Sequence, residues 1–515
     1  MSSSATVAAK REQRFWTRSH TLTLASILIF IGLCVGIVST AMPWEDESWF
    51  GSATYNLMSH GELRTSIIEG AGTWRAGTKH HLYWEPPLSF IADAMFCSVA
   101  SFSVFSIRTV SLLFGLFGLA CCWALVRRGA GSAQVAALAV LITSSDYFYL
   151  TIASDGRMDM MCFATGFAGA VSYLLLRERN LALAVVVSQA FVVISGITHP
   201  NGILWFAVVA ALTLLHDRRN ITPRIFLLAC IPYVLGAAVW GFFIVQDPRE
   251  FVFQFRSNMR ESSSSNSQNI SPILSPIRGI IAELNDRYLG PYGLLPGVPL
   301  INRTKAAILL IYAAVVAICV SVKEIRRRAF VRDILLMTAI IFLGLMFVTG
   351  NKWYHYLVHI IPLWAILAAV VFTHYGTARG FPRYASLAAI ALLVCVGWAG
   401  ALHNIRQNTY KNLYVPAAQF IAANTQQNDL VVGPAGFWWA LRDSREIKDD
   451  KNFGYYSHRT ARMIVLDDWY RYILSGGPEN IRTYARSLLR DQYRLAWSRG
   501  NLDFYVRNSA SAAQK

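Results

Sequence analysis

The stretch "TLTLASILIFIGLCVGIVSTAMPWEDESWF" (21–50) places about twenty apolar residues directly before three acids between two tryptophans. An apolar run of this length matches the hydrocarbon thickness of a bilayer, so residues 21–41 read as a first membrane span. The basic segment before it, with Lys10, Arg11, Arg14 and Arg18, reads as a cytoplasmic amino-terminal flank over 1–20, retained rather than cleaved. Glu45, Asp46 and Glu47 then open a short amphipathic helix over 46–60, ended by Gly61.

The rest of the chain extends this reading. Of the 515 residues, 54% are hydrophobic and 15% charged, too apolar for an ordinary soluble protein. Further apolar runs lie near 107–126, 133–152, 159–176, 181–198, 201–216, 225–246, 305–322, 333–349, 357–375 and 384–402. The formal charge of +17 collects mainly in short loops between them, at Arg127/Arg128, Arg177/Arg179, Arg218/Arg219/Arg224, Lys323–Arg332 and Arg379/Arg383. Short basic loops stay cytoplasmic, so this charge argues for a membrane topology and not for a nucleic-acid partner. The eight cysteines all fall in apolar segments and read as small core residues.

Keeping every basic loop on one side requires that the run 86–102 does not cross. It begins with Pro86-Pro87 and carries Asp93, which suits a second interfacial helix. The expectation is an all-α polytopic membrane protein with about eleven transmembrane and two interfacial helices. Its transmembrane domain covers 21–402, with a first outer loop at 42–106 and a flexible outer loop at 247–304. After residue 403 the chain turns polar, with strand-like "DLVVGP" (429–434) and "RMIVLDD" (462–468) and a helical stretch near 479–496. Residues 403–515 therefore read as a small α/β domain on the outer, extracytoplasmic face.

The unusual residues gather in the expected outer loops. Carboxylates beside an apolar wall, as at 45–47 and at Glu85 in "LYWEPPLSF" (82–90), can act as general bases, or belong to a solvated loop edged by interfacial tryptophans. "SDGRMD" (154–159) offers Asp155, Arg157 and Asp159, the last also a plausible helix-start acid. "THPNG" (198–202) offers His199 and Asn201. "NKWYHY" (351–356) sets Lys352, Tyr354, His355 and Tyr356 before a span, as interfacial anchors or as a grip on an anionic head group. Arg256 and Arg260 precede a Ser/Asn-rich run that suits a mobile covering loop. Asp46, Glu47, Asp159 and His199 could also surround a divalent metal ion, although no spacing fixes one. The sequence holds no Walker loop, GxGxxG feeding a helix, HExxH or GxSxG.

Taken in order, "PWEDESWFGSATYNLM", "YWEPPLSF", "SIRTVSLLFGL", "ASDGRMDMM", "GITHPNGIL" and "KWYHYLVHIIPLWAILAA" resemble the motifs of GT-C membrane glycosyltransferases. The resemblance runs over about residues 20–375 and is nearest to the branch of the protein mannosyltransferases and lipid A aminoarabinose transferases. It implies an inverting transferase of the cytoplasmic (inner) membrane, acting on its outer face. Such an enzyme moves a sugar from a polyprenyl-phosphate donor to a lipid, glycan or protein acceptor. By that resemblance Asp46 is the general base, Glu85 orients substrate, and Lys352 or nearby arginines hold the donor phosphate. Pro86 and His199-Pro200 depart from the aminoarabinose-transferase pattern, so sugar and acceptor stay open. A lipid-linked-sugar flippase without transferase activity is the alternative, although no internal repeat is visible in the sequence.

Overall fold

The computed structural model describes the backbone of residues 2–264, 276–349 and 352–508, with side chains over 18–258, 279–299, 302–349 and 352–508. Arg260's side chain, Asn351 and the Ser/Asn-rich run beyond Ser264 lie outside these described residues. Chain contacts divide the molecule into two compact units. One comprises Met1–Ile37, Ser111–Phe243 and Asn258–His403; the other comprises Val38–Val110, Ile244–Ser257 and Asn404–Lys515.

The first unit is helical. Six helices among the described residues, wholly or partly in this unit, are long and apolar enough to cross a membrane: Arg18–Thr40, Val104–Gly129, Asp159–Leu176, Pro223–Ile244, Ala329–Phe347 and Phe381–Asn424. Five more expected spans are apolar helices of 13–16 residues: Ala133–Ser145, Leu181–Gly196, Gly202–Asp217, Ala306–Ser321 and Ile361–Gly376. These are shorter than the roughly 20 residues of a full crossing, so several apolar helices fit a multi-pass membrane protein without setting the number of spans. Leu88–Ala100, of 13 residues, belongs to the same group of short apolar helices, and its interfacial reading rests on Pro86-Pro87 and Asp93 rather than on length.

The run expected as one span at 133–152 is two helices. Asp146 breaks it, with extended backbone at ψ 131° and a side chain that caps the second helix, Tyr147–Ile152. Its Oδ1 accepts from the backbone N–H of Phe148 at 2.9 Å and of Tyr149 at 3.2 Å, and Oδ2 accepts from Tyr312 Oη at 3.1 Å. Acidic N-caps favour such a restart, and Tyr312 supplies the partner that burial demands.

Ile361–Gly376 is buried continuously from Ile361 to Phe372, and packs on Ala133–Ser145 and Ala306–Ser321. A helix apolar on every side belongs in such a central position. Small residues let neighbours approach closely: a Cβ at Gly166 would run into the Trp205 indole, and one at Gly397 into the Ser145 carbonyl. At one end of this packing Asp217 accepts from Tyr173 Oη at 2.6 Å and pairs with Arg177 at 2.7 Å.

In the second unit, Glu45–His60 is the helix expected at 46–60, and Gly61 ends it in the left-handed region at φ +72°. The carboxyl-terminal part forms a five-stranded mixed sheet in the order β2-β1-β3-β5-β4, with β1 Leu430–Val432, β2 Glu446–Lys448, β3 Met463–Leu466, β4 Tyr493–Arg499 and β5 Leu502–Arg507. β1 runs parallel to both β2 and β3, while β5 pairs antiparallel with β3 and β4. Helix Glu479–Gln492 turns Ile481, Ala485, Leu488 and Leu489 onto Leu430, Val432, Ile464 and Leu466 of the sheet. That spacing is the apolar stripe of a surface helix. The described cysteines are free, six of them buried.

Candidate functional site

Two clusters of polar residues stand out, one in each unit. In the second unit the acids at 45–47 have three different settings. Glu47 is almost fully buried and forms a two-point ion pair with Arg108, Oε1 to Nε and Oε2 to Nη2 each at 2.6 Å. Arg108 also donates Nη1 to the carbonyls of Val38 at 2.9 Å and Ala41 at 2.8 Å. Nη2 reaches Met42 O at 3.3 Å. One guanidinium thereby fastens the carbonyl end of the first helix to the first turn of Glu45–His60, as its fork geometry allows. Asp46 lies beside this pair in the same first turn, with 9% of its surface exposed.

Glu45 faces a different set. Lys451 Nζ lies 3.4 Å from Glu45 and 2.9 Å from Asp449. Asp449 also accepts from Trp49 Nε1 at 3.0 Å and from Tyr470 Oη at 2.8 Å. Burial pushes the Glu45 carboxyl from 4.5 up to about 7, against the opposing pull of Lys451. Above this network the Arg75 guanidinium stands over the rings of Trp74 at 5.0 Å, Trp49 at 5.2 Å and Trp84 at 5.9 Å. Trp49 thus works as a donor and a cation platform, a more specific task than an interfacial belt residue has. Glu85 is half-buried in the loop ahead of Leu88–Ala100. Arg256 is exposed on helix Pro248–Ser264.

In the first unit the remaining expected residues converge. Arg157 pairs with Asp159 at 2.7 Å and covers the Trp353 ring at 5.8 Å. His355 Nε2 lies 3.0 Å from Asp155, and its ring stacks on Tyr354 at 4.1 Å. The His199 ring is 5.4 Å from that of Tyr356, and His199 Nδ1 accepts the Asn201 backbone N–H at 3.1 Å. Burial pushes His199 down to about 4 against the Asp159 carboxylate, so its imidazole is neutral at neutral pH. One Asp159 oxygen and the Asn201 side-chain nitrogen are buried with no hydrogen-bond partner among the described residues. Buried groups of this kind call for an explanation, and a bound polar ligand is one.

Lys352 has a setting that its sequence position does not reveal. Its ammonium donates to the carbonyls of Met346 and Thr349 at 2.8 Å and of Leu345 at 3.2 Å, and pairs with Glu283 at 3.0 Å. It caps the end of helix Ala329–Phe347. Arg287 shares Glu283 at 2.7 Å and lies over the Tyr356 ring at 5.4 Å.

Glu283 and Arg287 were not anticipated as site residues, although their four-residue spacing is a detectable pairing signal. Trp205, which donates Nε1 to His359 Nδ1 at 2.9 Å, and the partners Arg75, Asp449, Lys451 and Tyr470 gave no local signal. Among the described residues, no three His, Cys, Asp or Glu side chains come together as a metal site.

No protein-family model matches the sequence, and no curated protein sequence matches it either. Solved structures do. The chain is similar to ArnT from Cupriavidus metallidurans bound to undecaprenyl phosphate, at TM-score 0.62 and 13% identity over 96% of this chain and 99% of that one. It is also similar to the Archaeoglobus fulgidus oligosaccharyltransferase in its apo form, at TM-score 0.57 and 11% identity over 95% and 74%. The archaeal oligosaccharyltransferase AglB from Archaeoglobus fulgidus, in complex with an inhibitory peptide and a dolichol-phosphate, aligns at TM-score 0.56 and 11% identity, over 97% and 75%. The chain has the GT-C fold. At these identities the likeness speaks for architecture, and it bears out the resemblance drawn from the ordered motifs.

Proposed function

We propose that this protein is a membrane glycosyltransferase that moves a sugar from a polyprenyl-phosphate donor to an extracytoplasmic acceptor, with inversion at the anomeric carbon. The observation that carries this reading is the setting of the Asp-Glu pair: a buried Asp46 beside a Glu47 held at both oxygens by Arg108. Arg108 fixes the helix turn from which Asp46 projects, and a general base has to be held within hydrogen-bond reach of the proton it takes. The bound undecaprenyl phosphate of the ArnT neighbour and the dolichol-phosphate of the archaeal one support the class of donor.

In the proposed reaction an acceptor oxygen forms a bond to the anomeric carbon while the bond from that carbon to the lipid phosphate breaks. The electron pair leaves with the phosphate, and Asp46 takes the acceptor's proton. Glu47 is a positioning residue, acting through Arg108, and Glu85 orients substrate. The leaving group carries charge, so cations are needed where it departs. Arg157 and the His199–Tyr356 group are assigned to donor binding. The inner membrane and its outer face are the proposed setting.

Purified protein incubated with a polyprenyl-phosphate sugar and candidate acceptors should release free polyprenyl phosphate. Intact donor appearing in the opposite leaflet of a vesicle, with no cleavage, would establish the flippase reading instead.

A further inference from the structure

Helix Ile361–Gly376, which begins just after the His355 segment, ends at a second cavity. It has a volume of about 560 Å³ and lies within the first unit. It is bounded by Gly129 at the end of Val104–Gly129, by Ser132 before Ala133–Ser145, by the first turn of Ala329–Phe347, and by Thr373–Thr377 at the end of Ile361–Gly376. Helix rise alone puts His374 roughly 20 Å from Ile361, where the other cluster begins.

The walls are divided chemically. Val135 and Val331 are buried on the floor with Val370, and the Phe330 ring closes one side so tightly that a Cβ on Gly129 would overlap it. The rim is polar: Arg328 Nη2 lies 3.4 Å from His374 Nδ1, and Thr373 and Thr377 stand beside them. No carboxylate is among the lining residues. Arg328 is also the residue before helix Ala329–Phe347, whose first turn has no side-chain cap, so unbonded N–H groups and the positive helix end add to the guanidinium. The basic residues Arg127, Arg128, Arg326 and Arg327 flank the same end.

We infer that this cavity seats the phosphate head group of an anionic membrane phospholipid. Its volume falls in the range of ligand pockets, roughly 300–1,000 Å³. A cationic rim over an apolar floor, at the ends of apolar helices, matches a molecule with a charged head and a hydrocarbon body. Basic pockets between membrane helices recognise lipids by this combination. A free phosphate ion would use the rim and leave the floor empty.

The test is native mass spectrometry of the purified full chain titrated with phosphatidylglycerol, phosphatidylcholine or inorganic phosphate. Phosphatidylglycerol should be retained at least about fivefold more tightly than phosphatidylcholine, the worth of one basic residue against an anionic surface. Arg328→Glu should abolish that preference. Thr377→Trp, which fills the mouth from an exposed position, should do the same and serves if the first variant folds poorly. Arg332→Glu makes the same charge change outside the cavity and should leave the preference intact. The inference is overturned if Arg332→Glu weakens retention as much as Arg328→Glu, if the two lipids bind alike, or if inorganic phosphate competes with the lipid at equal affinity.

Discussion

At the scale of single residues, Asp46 and Glu45 are neighbours in sequence with separable roles. Asp46→Asn keeps the shape of the side chain and removes the proton acceptor. Lipid-phosphate release should fall by about 10²–10⁴-fold, the usual worth of a general base, with donor affinity and melting temperature little changed. Near-normal release would remove Asp46 from the mechanism. Glu45 behaves differently because burial raises its pKa from 4.5 to about 7, helped by Asp449 and Asp467 and opposed by Lys451 and Arg75. A carboxyl raised on folding stabilises the protein fully below its unfolded value, and that contribution is lost as pH rises from about 4.5 through about 7. Asp450, raised by burial to about 6, adds in the same direction. Glu45→Gln should therefore flatten the decline of thermal stability between these pH values while leaving turnover nearly intact. An unchanged pH profile would show that Glu45 is not the titrating group.

Among the elements, the end of helix Ala329–Phe347 shows how a lysine that looks like a ligand can serve as a cap. Lys352 binds three carbonyls of its own chain and the buried Glu283. Lys352→Ala removes one of the two cations on the buried Glu283 and leaves Arg287 at 2.7 Å in place, so the loss should be about 1.5–3 kcal/mol, the worth of a hydrogen bond to a charged group rather than of an uncompensated buried charge. A lowered unfolding midpoint, read by circular dichroism in detergent, is the expected outcome. A normal midpoint with weakened donor binding would instead make the ammonium a phosphate ligand, the role implied by the sequence resemblance. The restart at Asp146 belongs to the same scale, since an apolar run of twenty residues becomes two helices because one buried acid finds two backbone donors and a tyrosine.

For the molecule as a whole, the basic loops make a prediction about sidedness. Residues 60–80 and 410–510 should be outside and Arg127 and Arg326 inside, because that arrangement keeps every short basic loop cytoplasmic. Single cysteines on a cysteine-free background, labelled with a membrane-impermeant reagent in intact cells, check it. Labelling at position 127 from outside would require 86–102 to cross, against the interfacial reading drawn from Pro86-Pro87 and Asp93.

The sequence by itself determined the positions of the apolar helices, the short helix ending at Gly61, and the polar α/β segment after residue 403. All of these rest on local signals: run length, periodicity, and the freedom of one glycine to adopt φ +72°. It also brought out the His199, Asp155–Asp159 and Tyr354–Tyr356 motifs, because polar residues next to apolar runs are conspicuous. Only the tertiary structure decided which acids are already committed. Glu47 meets Arg108 across 61 residues, and Trp49 meets Asp449 across 400. Such pairs leave no periodic trace, since an ion pair requires two charges to be close in space and sets no condition on their separation along the chain. The same holds for the compact units, each assembled from three separate stretches of chain.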